Sequence, residues 1–313
     1  MIARFTWIRK FLVVCAVLSV GVSGSLGSAG TALAQGLSPS AAACAKTNNL
    51  VGAGAPKQAT LVERDPATPP PSCPSGLVAL WSLDETSGTT FVDSANGHDG
   101  TCTDGCPVSA TGVVSNALTF GAATTVTVAA NTAFDFALAD SFTLEAWLKP
   151  AATCTNAEPV IGRSSVGGTD FQWWLGCETG KAEFIVKDQN SILFAALGTS
   201  SVVDGNFHHL VGVRDASTNE LRLYVDGVLE TTTPSTNYTA NFGTGTPIYL
   251  GWFKAANKYH FTGVVDEIAV YNRVVTAQEI TDHHTNGLAG HGICDVVVAP
   301  PPSHFLYLPL VMK

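Results

Sequence analysis

Charge is scarce in this 313-residue chain: Asp, Glu, Lys and Arg make up 13% of it, with 16 basic side chains against 25 acidic ones. Basic clusters are missing beyond the first ten residues, which argues against nucleic acid or an anionic membrane surface as a partner. Long apolar runs are missing too. The run from Phe11 to Val22 falls short of the ~20 residues a spanning helix needs, and no later segment reaches that length, so no transmembrane segment is expected. Several catalytic signatures are also absent: there is no G-x-S-x-G, no H-E-x-x-H and no phosphate-cradling G-x-x-x-x-G-K.

What is present begins with Arg4, Arg9 and Lys10, then the apolar run, then Ala32-Leu33-Ala34 before Gln35. A basic region, an apolar region and an A-x-A-like site predict a signal peptide over residues 1–34. A lipoprotein anchor at Cys15 competes poorly, because bulky valines precede it and it sits at the front of the apolar run. Beyond the signal, Cys44, Cys73, Cys102, Cys106, Cys154, Cys177 and Cys294 remain, an odd number for an oxidising compartment. The preferred pairing is Cys102–Cys106, Cys154–Cys177 and Cys73–Cys294, leaving Cys44 single; Cys44–Cys73 stays open as an alternative. No Cys/His spacing matches a zinc ribbon or finger.

Residues 35–72, rich in Ala and Pro and ending in Pro69-Pro70-Pro71, are expected to form a leader and spacer. Residues 73–294 form the expected domain, and residues 295–313 a Pro-rich linker with an apolar C-terminal tail. Within the domain, short β-rich runs alternate with Gly, Asn, Asp and Pro, the pattern of an all-β sandwich or barrel. Phe142, Leu144, Ala146 and Leu148 share one face of a strand, while Glu145 and Trp147 share the other. Leu221, Leu223 and Val225 alternate with Arg222 and Tyr224, and Asp226-Gly227 supplies the left-handed positions of a two-residue turn. One short helix is expected, opened by Thr276 and Glu279 as a capping box and ended by Gly287.

Six phrases in order carry a family likeness: G-L-V-A-L-W-S-L-D-E-T-S-G-T-T from Gly76, S-F-T-L-E-A-W-L-K-P from Ser141, N-F-H-H-L-V-G-V from Asn206, L-R-L-Y-V-D-G-V from Leu221, I-Y-L-G-W from Ile248 and G-V-V-D-E-I-A-V-Y-N-R from Gly263. Together with T-A-Q-E-I at Thr276 they resemble the concanavalin A-like, laminin-G/pentraxin jelly roll of secreted bacterial proteins, over residues 76–287. The resemblance implies an all-β fold, a two-sheet antiparallel jelly-roll sandwich of about a dozen strands with one short C-terminal helix. It also implies a groove or rim that often binds glycans, and in many members a structural calcium. The paired-carboxylate strand E-x-D-x-x-E of the glucanases sharing this architecture is lacking, so no catalytic role is expected.

Parity on the strand from Gly263 places Asp266 with Ile268 and Val270 on the apolar face, where a lone carboxylate is costly. Two arrangements offset that cost. Calcium takes six to eight oxygens, with Asp84, Asp93, Asn96 and Asp99 as candidate co-ligands; alternatively, backbone N–H groups satisfy a buried Asp266. His208 and His209 point to opposite faces, and a histidine fixed by backbone bonds is the expected role. His283, His284 and His291 near Asp282 are too loosely spaced for a zinc site. Trp174, Trp252, Phe253 and Tyr259, with Asn257, Lys254 and Lys258 close in sequence, are the candidate sugar platform, because aromatic faces stack on pyranose rings while polar neighbours bond the hydroxyls. The same rings can simply cover the sheet.

The expectation is a secreted or cell-surface recognition domain binding a glycan or cell-surface polymer, with calcium as its cofactor. An adhesion or structural surface protein attached through its tail is the alternative, and a glycoside-cleaving enzyme ranks third.

Overall fold

The computed structural model describes residues 73–103, 105–151, 154–165, 171–252 and 259–295. The expected signal peptide, leader, Cys44 and C-terminal tail lie outside these residues. In chain order the strands are β1 (Leu77–Trp81), β2 (Thr90–Phe91), β3 (Gly100–Thr101), β4 (Val108–Thr111), β5 (Asn116–Phe120), β6 (Val126–Val128), β7 (Phe142–Pro150) and β8 (Glu158–Ser164). Then come β9 (Gln172–Glu178), β10 (Lys181–Lys187), β11 (Leu193–Ser201), β12 (His208–Asp215), β13 (Glu220–Val225), β14 (Val228–Pro234), β15 (Ile248–Leu250), β16 (Gly263–Tyr271) and the helix α1 (Ala277–Leu288).

These strands form two antiparallel sheets. The first runs β14-β13-β12-β7-β16-β5-β4, with β1 also paired to β16; the second runs β11-β10-β9-β8-β15-β6-β3-β2. Alternation explains the layering. Phe142, Leu144, Ala146 and Leu148 of β7 and Leu221, Leu223 and Val225 of β13 face Trp173 and Leu175 of β9 and Phe184 and Val186 of β10 in one core. Gly212 is required there, since a Cβ would lie 2.4 Å from the Phe184 ring. Asp226 and Gly227 both adopt positive φ (51° and 77°), as the two-residue turn between β13 and β14 demands.

The predicted ends meet. β1 pairs with β16, and Cys73–Cys294 joins residues 221 positions apart; Cys102–Cys106 and Cys154–Cys177 form as expected. The free edges on one side also close. Glu230 of β14 accepts the N–H groups of Thr199 (2.6 Å) and Ser200, and the Thr233 hydroxyl donates to the Ala195 carbonyl at 3.0 Å. Side chains of one sheet thereby satisfy the backbone edge of the other, which would otherwise invite strand addition.

Two sequence expectations need correction. The helix opens with the predicted capping box, Thr276 and Glu279 bonding reciprocally, but Gly287 does not end it. Gly287 lies inside the last turn, where a Cβ would sit 2.6 Å from the Trp147 indole, so it is a packing glycine; the left-handed residue beyond the helix is Gly290 (φ 78°). On β16 the strict alternation fails. A bulge at Glu267 (φ 49°) shifts the register with β7 from Asp266↔Trp147 to Ala269↔Glu145. Val265, Ile268 and Val270 therefore share the core, and Asp266 does not face inward with Ile268 and Val270 as parity implied.

Candidate functional site

The outer faces of the two sheets differ. On the first sheet, Leu80, Val211, Val213, Tyr224, Ala269 and Tyr271 pack with Val275 and Ile280, so the helical segment covers an apolar face. Among the described residues no helix lies on the second sheet. Its outer face carries one row of cross-strand neighbours: Thr127 of β6, Tyr249 of β15, Gly162 of β8, Trp174 of β9, Ile185 of β10 and Ala195 of β11. Gly162 stands between the two rings, Tyr249 and Trp174, in this row.

The structure separates the sequence-predicted platform residues. Trp173 turns into the core and Trp174 outward, as adjacent strand residues must. Trp174 is nevertheless only 3% exposed, packed with Ile185, Ala157, Ala195 and Tyr259, so its ring serves as the floor of this face. Trp252 is half-buried, stacked on His260 (centroids 5.0 Å apart, planes 3° apart) and edge-on to Tyr249 at 5.5 Å. Burial pushes the His260 pKa down, so its ring is neutral beside the indole. Phe253, Lys254, Asn257 and Lys258 lie outside the described residues. Tyr249 is a neighbour that sequence reasoning missed; its signal was the alternation Ile248-Tyr249-Leu250, with the tyrosine at the outward position. Leu193 and Leu197 of β11 extend the same face, 45% and 54% exposed.

The candidate metal ligands also divide. Asp93 is filled by its own chain: Oδ1 accepts the N–H groups of Leu80 (2.8 Å) and Ala95 (2.9 Å), while Oδ2 accepts those of Asn96 (3.2 Å) and His98 (2.8 Å) and lies 3.0 Å from His98 Nδ1. Asn96 donates its amide to the Leu77 and Val78 carbonyls. These two residues staple the 93–99 loop onto β1; Asp99 takes part by accepting the Asp93 N–H.

Asp266, Glu267 and Asp84 form a different corner. Asp266 Oδ2 accepts the N–H groups of Val113 (2.8 Å) and Val114 (3.0 Å), and Asp84 Oδ1 accepts that of Asn116. Gly112 makes this possible, because a Cβ there would lie 2.4 Å from Asp266 Oδ2. Asp266 Oδ1 and Glu267 Oε2 are both buried without a hydrogen-bond partner. Burial, opposed by the Val114 and Val113 N–H groups and helped by Asp84, pushes the Asp266 pKa up to about 7. Burial and the Asp266 charge push Glu267 to about 8. Ser82, Asp84, Ser94, Ser115, Glu267 and Asp295 line an adjoining cavity of about 210 Å³. Among the described residues, no three His, Cys, Asp or Glu side chains converge closely enough to hold an ion alone. Two orphaned carboxylate oxygens therefore suit a cation only with carbonyl or water ligands completing its shell.

The histidines differ from expectation as well: carboxylates, not backbone groups, hold them. His209 Nε2 lies 2.7 Å from Glu145 Oε1, and His283 Nδ1 lies 3.0 Å from the same oxygen. Burial alone would raise the Glu145 pKa, but His283 and His209 hold it far below the carboxylate range. Glu145 thus fastens β12 and α1 to β7, a structural ion cluster under the helix.

Two facing antiparallel sheets, one of them covered by a helix, define a lectin-like jelly-roll domain. The chain belongs to the concanavalin A-like lectin/glucanases superfamily: a laminin-G model of that description matches residues 120–281. No curated protein sequence matches it. Among solved structures it is similar to the binding domain of Paraclostridial mosquitocidal protein 1 (14% identity, TM-score 0.56, 67% of this chain and 52% of that one). It is also similar to domain 4 of AbnA, a GH43 extracellular arabinanase from Geobacillus stearothermophilus, in complex with arabinotriose (20% identity, TM-score 0.51, 66% and 97%). A third is the receptor binding domain of botulinum neurotoxin D (12% identity, TM-score 0.53, 67% and 52%). The chain spans about half the length of the two toxin domains. At these identities the likeness is one of fold.

Proposed function

We propose that this chain is a secreted, non-catalytic recognition domain that binds a glycan or cell-surface polysaccharide on the outer face of its second sheet. The observation that carries the reading is the pair of half-buried aromatics Trp252 and Tyr259 at the rim of this face, beside the buried cross-strand row Tyr249–Gly162–Trp174–Ile185. A ligand ring would stack on Trp252 at this rim, with the buried row as the rigid floor behind it. Arabinotriose bound to a domain of the same fold supports a saccharide as the ligand class. Three disulfides and the N-terminal sequence support secretion. A structural calcium belongs to the same proposal, at the Asp84–Asp266–Glu267 corner; Asp93 and Asn96 are already used by the chain. The ion would neutralise two adjacent buried carboxylates and tie β16 to the turn before β5.

A panel of immobilised polysaccharides tests the reading. The mature chain should be retained on at least one, Trp252→Ala should lose most of that retention, and the variant's melting temperature should stay close to wild type. Retention that survives Trp252→Ala and Tyr249→Ala together would move the site elsewhere. Exposed Leu193 and Leu197 on the same face favour a second reading, adhesion to a protein or polymer surface without affinity for small sugars. That reading predicts no response to soluble oligosaccharides, and a loss of surface attachment when residues 303–313 are deleted.

A further inference from the structure

We propose that His208 is a proton-operated clasp, closed when its ring is an imidazolium, that fastens the loop before β12 to the β13–β14 turn. The geometry carries it. His208 Nδ1 lies 2.8 Å from Asp226 Oδ2 in the turn, and Nε2 lies 3.0 Å from Asp204 Oδ1 in the loop. A neutral imidazole has one N–H donor and one lone pair, so it serves only one of these carboxylates and presents the lone pair to the other. Only the doubly protonated ring donates to both.

The surroundings favour that state. On the loop side stands Asp204; on the turn side stands Asp226, whose Oδ1 also accepts the His209 N–H at 2.9 Å. From α1, His284 Nε2 approaches Asp226 Oδ1 to 4.0 Å, and the Thr281 hydroxyl donates to the Gly227 carbonyl. From β7, Lys149 sits over the neighbouring Phe207 ring at 4.7 Å. The Asp226 hydrogen bond raises the His208 pKa, opposed by partial burial and helped by Asp204. The His208 side chain is 11% exposed, so solvent reaches the ring and can exchange its proton.

A histidine whose folded pKa is raised contributes stability that is complete below its unfolded value near 6.5 and lost as pH rises through the folded value. The clasp is therefore closed in mild acid and opens as pH rises through the raised folded-state value. Opening frees the loop at Asp204–Asn206 and loosens the Asp226-Gly227 turn, on which α1 rests.

Two measurements on the full chain test this. In an NMR titration the His208 ring should change at a pH above the unperturbed value of about 6.5, and Asp204→Asn, an exposed change that preserves the fold, should lower that midpoint. In hydrogen exchange, corrected for intrinsic base catalysis, the Asp226 N–H, bonded to the His209 carbonyl at 2.8 Å, should lose at least about fivefold protection between about pH 6 and about pH 9. In His208→Gln its protection should already be low at the acid end, and the difference from wild type should vanish at the alkaline end. The buried carboxyls that also titrate are present in both proteins, so the difference isolates His208. A His208 midpoint at or below the unperturbed value, or pH profiles that run parallel in wild type and variant, overturns the clasp.

Discussion

Replacing Asp266 with asparagine separates the two tasks open to its carboxylate. The side chain is fully buried and holds the Val113 and Val114 N–H groups. Asparagine retains a carbonyl acceptor for those donors but cannot ionise. In the wild-type chain the folded-state pKa is raised to about 7. The unfolded chain releases this proton near pH 4, whereas the folded chain keeps it, so each pH unit between the two values removes about 1.4 kcal/mol of stability. The loss accumulates to at most about 4 kcal/mol by neutral pH, and Asp266→Asn avoids it. In urea unfolding with chelator present, the two proteins should have similar midpoints near pH 4 and the variant the higher one near pH 8. Asp266→Ala strands the Val113 and Val114 N–H groups and should be less stable than Asp266→Asn by about 2–6 kcal/mol at every pH. Calcium reverses the order, because a bound cation favours the ionised carboxylate: wild type should regain stability with added calcium, and the asparagine variant should not. A variant less stable than wild type near pH 8 in chelator would refute the argument from buried ionisation, and a wild-type melt indifferent to calcium would remove the ion from this corner.

Other consequences are open to direct measurement. Removing the Cys73–Cys294 bridge by paired serine substitution releases a closure spanning 221 positions, for which chain entropy gives about 5 kcal/mol; a urea midpoint unchanged from wild type would contradict it. Gly287→Ala gains about 1 kcal/mol of helix propensity but drives a Cβ to 2.6 Å from the Trp147 indole, so a net loss of about 1–2 kcal/mol in thermal unfolding is expected, and a gain would disprove the packing. Thr276→Ala breaks the capping box and should cost about 1 kcal/mol, read as faster amide exchange in the first turn of α1.

Much of the fold was legible because it rests on local periodicity. Phe142 to Leu148 and Leu221 to Val225 alternate strictly and do face one core; Asp226-Gly227 turns where only left-handed residues fit; Thr276 and Glu279 cap the helix. The candidate site was less legible. Trp174 points outward as parity requires, yet Ile185 and Ala195 of the next two strands, brought alongside by the sheet register, pack against it. Tyr249 lies two strands from Trp174 and becomes its neighbour only through the register across Gly162. Asp266 was singled out correctly as a buried carboxylate, but its facing was misjudged, because one extra residue at Glu267 inverts the alternation without changing the composition of the strand.

Sequence alone pointed to the sandwich, the two-residue turn and the helix cap, since each follows from short-range patterns of apolar and turn-forming residues, while the Cys73–Cys294 bridge was one of two pairings left open. Tertiary structure decided which carboxylates are spent and which are free. Asp93 and Asp266 look alike in the chain; one is saturated by five nitrogen atoms and the other keeps an oxygen without a partner. The reason is that hydrogen-bond supply and desolvation depend on backbone groups from distant strands, which no local pattern encodes.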